Sequence, residues 1–63
     1  MTNQVNAAIE TAIRANVPGS TLYNLASQYK HWIAEAARES EAARLSEINK
    51  AYNAFKKHGI IKE

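Results

Sequence analysis

Between Ser20 and His58 the chain carries neither glycine nor proline, and this unbroken stretch constrains its fold more than any other feature. Gly and Pro are the strongest punctuators of secondary structure. Here the one Pro and two Gly fall at Pro18, Gly19 and Gly59. Strand signals are missing too, because the β-branched residues are scattered among Ala, Glu, Lys and Arg and never alternate over four positions. The expected fold class is all-α: a small helical bundle of two or three helices in one domain, residues 1–63.

The first helix is predicted over about 3–16, with Val5, Ala8, Ile9, Ala12 and Ile13 along one face and Glu10 and Arg14 paired at i, i+4 outside it. Thr2 or Asn3 is the expected N-cap. Pro18 disfavours helical geometry at Val17, so the helix ends before it. Ser20 or Thr21 can cap the next helix. The far end is well marked: Lys56, Lys57 and His58 suit the negative pole of a helix, Gly59 suits the left-handed position beyond it, and Ile60 can make the accompanying apolar contact.

Between these two ends lies one long bent helix or two helices, about 21–38 and 41–58. With Ala36 set to zero and about 100° per residue, Leu22, Leu25, Tyr29 and Trp32 fall within roughly 40° of it, with Ile33 at the stripe's edge near 60°. Phe55, Ile48, Tyr52 and Leu45 fall at about 100°, 120°, 160° and 180°. The second stripe is therefore rotated by about 130°, far more than the roughly 20° per heptad by which a regular repeat drifts. Either the chain breaks near residues 38–41, with Ser40 capping a third helix, or one long helix shows different faces to different neighbours.

Composition bears on how such helices could be held together. Hydrophobic residues make up 46% of the chain, but twelve of them are Ala, which favours helix while burying little surface. A 63-residue chain sits near the lower limit of independent stability. With no Cys there is no disulfide or thiolate–metal staple, so completion by oligomerisation, with a homodimer favoured, is expected. No apolar run approaches a membrane span and the N-terminus lacks a signal-peptide layout, so the expectation is a cytoplasmic protein with no membrane partner.

Little in the chain points to chemistry. His31 and Glu35 share a face at i, i+4, the spacing that can hold a metal between turns, but with no Asp or Cys and only one further His a solvated polar pair is expected. Nucleophilic catalysis needs a base and an orienting acid in a cleft, and phosphate or oxyanion binding favours a glycine-rich turn; no enzyme activity and no cofactor are expected. A helix-turn-helix DNA-binding regulator is the alternative. Its joint would be Pro18-Gly19, its base-reading face Asn24, Ser27, Gln28 and Lys30, and its phosphate contacts Arg38, Arg44, Lys50, Lys56 and Lys57. The net charge of only +2, with eight basic residues interleaved among six acidic ones, is a weak footprint for nucleic acid.

The apolar side chains are more suggestive. Trp and Tyr are enriched at interface hot spots, and five aromatics in so small a chain either fill its core or meet another protein. The candidate interface comprises Leu22, Tyr23, Leu25, Tyr29, Trp32, Ile33, Leu45, Ile48, Tyr52 and Phe55, with Ile60 and Ile61 of the tail. Tyr23, off the main stripe, is a candidate outward contact, and the tail either folds back over the first helix or enters a partner's groove. The expected function is a protein–protein interaction module, by analogy an antirepressor-like regulator or inhibitor of the kind viruses and plasmids encode. A structural or assembly subunit is a third possibility.

Overall fold

Each turn of this fold is set by a residue whose local chemistry favours it. The computed structural model describes residues 1–62, which form three helices: α1 (Thr2–Ala15), α2 (Thr21–Glu39) and α3 (Glu41–Lys57). Glu63, the last residue of the tail, lies outside the described residues.

Helix α1 begins earlier than its side chains suggested. Thr2 and Asn3 are not its cap; Met1 is, with no side-chain hydrogen bond. The Val5 N–H instead donates to the Met1 carbonyl at 3.0 Å, so the helix gains one more backbone bond and carries Val5 into the core. At its other end Asn16 is extended, and its Nδ2 donates to the Ala12 carbonyl at 2.8 Å, satisfying one of the acceptors a helix end leaves open. Val17-Pro18-Gly19-Ser20 then closes as a β-turn: the Ser20 N–H donates to the Val17 carbonyl at 3.1 Å. Gly19 has φ +92°, the conformation that follows Pro in a type II turn and that glycine takes without steric cost. Ser20 caps α2 by accepting from the Tyr23 N–H.

The break in the long apolar stretch falls on one residue. Ser40 has an extended backbone (φ −169°, ψ 161°), ends α2 by donating its N–H to the Ala36 carbonyl, and starts α3 by accepting the Ala43 N–H on Oγ at 3.0 Å. The chain is therefore three helices, and the 130° rotation between its apolar stripes is what lets α2 and α3 fold back and face a common core. Arg44 closes over this turn with two hydrogen bonds to the Glu41 carboxylate. These hydrogen bonds hold Glu41 below its ordinary carboxylate pKa and raise that of Arg44.

The predicted stop of α3 is present in full. Gly59 has φ +77°; its N–H donates to the Lys56 carbonyl at 3.1 Å and the Ile60 N–H to the Phe55 carbonyl at 2.9 Å. These are the two bonds of a Schellman motif, and Ile60 packs on the core as that motif's apolar contact. The tail then turns back, so that Ile60, Ile61 and Lys62 lie along Gln4, Ala7, Ala8 and Thr11 of α1.

The core consists of Val5, Ala8, Ile9 and Ala12 from α1, Ala26 from α2, Ile48, Ala51 and Phe55 from α3, and Ile61 from the tail. Four of these nine are alanines, which let the helices approach closely, and Phe55, Ile48 and Val5 are the largest fully buried side chains. Helix α2 is the central element: it packs most extensively against α3 and next against α1. That dual role corrects one detail of the helical wheel. Ile33, placed at the edge of the α2 stripe, packs against the core and faces α1, whereas Trp32, placed within the stripe, is 43% exposed. An arc that serves two neighbours is centred between them, and here that centre has moved toward Ala26 and Ile33.

Candidate functional site

The twelve apolar residues picked out as a possible interface divide into three groups. Ile48, Phe55 and Ile61 are buried in the chain's own core, so in this fold they are packing residues and offer no surface to a partner. The physical reason is the fold-back at Ser40, which turns the α3 stripe inward. Leu22, Tyr23, Leu25, Tyr29, Ile33, Tyr52 and Ile60 are half-buried, and Leu25, Tyr29, Ile33, Tyr52 and Ile60 pack against the core from its margin. Of the twelve, only Trp32 and Leu45, the latter 47% exposed, are exposed and not half-buried or buried.

Trp32 is the more distinctive of the two because it belongs to a built surface. Its ring meets Tyr29 edge to face, with centroids 5.3 Å apart and planes at 89°. Tyr29 in turn rests at 6.0 Å on buried Phe55. The sole Trp of the chain is thus linked through one ring to the core while remaining 43% exposed. Such edge-to-face pairs add about 0.5–1.5 kcal/mol beyond the area they bury and fix ring orientation. Tyr29 and Trp32 from α2, with Glu47 and Lys50 from α3, line a groove of about 300 Å³. Glu47 and Lys50 form an ion pair at 3.4 Å within the groove wall.

A second and larger groove, about 410 Å³, runs between α1 and α2. It is lined by Ile9, Ile13 and Ile33 together with Asn6, Glu10, Arg14 and Lys30. From the sequence, Lys30 was assigned only to the base-reading face of the DNA-binding alternative and Arg14 only to a pair with Glu10. The signal for this groove was legible in Ile9 and Ile13, one turn apart on α1, but only the position of α2 shows that Ile33 joins them. The Glu10–Arg14 pair expected at i, i+4 does not form among the described residues. An exposed pair of this kind is worth too little to hold two long side chains in one geometry.

The residues considered for other chemistry are dispersed. His31 Nε2 lies 3.2 Å from Glu35 Oε1 with both side chains solvated, and no group of three His, Cys, Asp or Glu comes together among the described residues. No polar or charged side chain is buried among them. Of the proposed base-reading face, Asn24 and Gln28 are exposed, Ser27 is half-buried, and Lys30 lines the α1–α2 groove. Asn24 donates through Nδ2 to the Gly19 carbonyl at 3.3 Å. Arg44 and Lys50, two of the proposed phosphate contacts, are neutralised by Glu41 and Glu47. No described helix is long and apolar enough to cross a membrane.

No protein-family model matches this chain, and no curated protein or solved structure matches it.

Proposed function

We propose that this chain is a non-enzymatic protein-binding module, a small regulator or inhibitor that docks through the α2–α3 edge centred on Trp32. The observation that carries this is the placement of the sole Trp outside a core short of large side chains. Alanines supply much of that core, and Trp32 is the largest apolar side chain available to fill it. It stands instead 43% exposed beside Tyr29, Glu47 and Lys50. Aromatic side chains with a polar surround are the anchors on which binding energy concentrates, and Trp32 keeps its edge-to-face contact with Tyr29 while 43% exposed.

The test compares wild type with Trp32→Ala as baits in pull-downs from the source cell, after circular dichroism confirms equal helicity. Partners identified by mass spectrometry should be lost or reduced at least tenfold with Trp32→Ala. Recovery of the same partners at equal yield would remove Trp32 from the contact.

A further inference from the structure

The α1–α2 groove lies on a different face from Trp32, and its chemistry names a partner more narrowly. Its apolar part is aliphatic: Ile9 is buried, and Ile13 and Ile33 are half-buried. Its rim is charged. Arg14 from α1 and Lys30 from α2 form no hydrogen bond or ion pair with any described residue, and one carboxylate, Glu10, accompanies them. Two cations against one anion leave the rim positive, with a cation contributed from each wall.

We infer that this groove binds an acidic amphipathic helix of a partner protein. The claim rests on the chain being a binding module, and adds a second surface, apart from the Trp32 edge, with the chemistry of the partner it takes. A furrow between two packed helices accepts the side-chain ridge of a third, and the half-buried Ile13 and Ile33, one from each wall, present the aliphatic surface that meets anchors at i, i+3, i+4 and i+7 of an incoming helix. Arg14 and Lys30 then pair with carboxylates flanking the partner's apolar stripe. A second copy of this chain is a poorer occupant. Apposing the same face of two copies would set one concavity against another and bring four cations together against two carboxylates.

The experiment is selection of a random peptide display library on the intact protein. The selected peptides are then titrated against wild type, the double variant Arg14→Glu/Lys30→Glu, Ile13→Asp and Trp32→Ala, each checked for helicity and thermal unfolding. The expected peptides carry aliphatic residues at helical spacing and a net negative charge. Their affinity should fall at least tenfold with Arg14→Glu/Lys30→Glu and also with Ile13→Asp. Replacing the peptides' Glu and Asp by Lys should restore binding to the double variant. The inference is overturned if no peptide is enriched, if the enriched peptides are not acidic, or if the double variant binds them as wild type does. It is also overturned if sedimentation shows the groove filled by a second copy, as a dimer abolished by Ile13→Asp. Peptides sensitive to Trp32→Ala and indifferent to Arg14 and Lys30 would leave the Trp32 edge standing and remove the groove.

Discussion

At the scale of single residues, two aromatics of the same helical hairpin have opposite roles. Phe55 is fully buried among Ile48, Ala51 and Ile61, and Trp32 leans on Tyr29 with much of its surface in water. Both were candidates for core or interface from the sequence, since a helical wheel reports spacing and not which edge of an arc meets a neighbour. Their substitutions separate the two roles. Phe55→Ala should cost about 3–5 kcal/mol, against a total stability that at 0.05–0.15 kcal/mol per residue is roughly 3–9 kcal/mol for a domain of this size. The variant is expected to lose about half or more of that stability, read as a markedly lower urea midpoint. Trp32→Ala should cost about 1–2 kcal/mol, the loss of one aromatic pair and partial burial, and remain folded in urea titration. Equal losses at the two sites would mean that Trp32 is a core residue.

At the scale of elements, the controlling joint is Ser40. Ala-rich turns on both sides favour a continuous helix, and against them stands one side chain whose hydroxyl caps α3 while its extended backbone ends α2. Ser40→Ala removes the cap and adds helix propensity at the bend, so it should destabilise the fold by about 1 kcal/mol, whereas Ser40→Gly should cost only a few tenths. Equilibrium urea unfolding of the two variants checks the difference, and equal midpoints would mean that packing, and not the cap, holds the bend. Both the end of α3 and the start of α1 were legible to within one residue. The stop was legible in kind because Gly59 and Ile60 act through local backbone geometry, whereas the cap of α1 was not, because no side chain makes it.

At the scale of the whole molecule, the thin core suggested a chain that needs a second copy. The tertiary structure offers another solution: Ile61 of the tail seals the α1–α3 side, and alanines let the helices close on one another. The accessible surface is 4260 Å², close to the roughly 4,000 Å² expected of a compactly folded chain of this mass, and the radius of gyration is 11.0 Å. Ile48 and Phe55, which a shared core would have placed between two chains, are already covered by one. The isolated chain should therefore unfold in a single thermal transition whose midpoint does not move over a hundredfold range of protein concentration. A midpoint that rises with concentration would show that folding is coupled to association.

What the amino-acid sequence determined by itself is local: all-helical structure, the turn at Pro18-Gly19, a cap at Ser20 or Thr21 and the left-handed stop at Gly59. Each arises from backbone freedom, capping chemistry and periodicity within a few residues. The choice at Ser40 was open because propensity favoured one long helix and capping favoured two, and only the gain from folding Ile48 and Phe55 inward decided it. The same event decided the surface. Which apolar residues are core, and which grooves remain to bind, depends on where α2 meets both neighbours, a relation between segments distant in sequence that no single stripe records. Trp32 at one edge of α2, and Arg14 and Lys30 across the furrow at the other, are products of that packing.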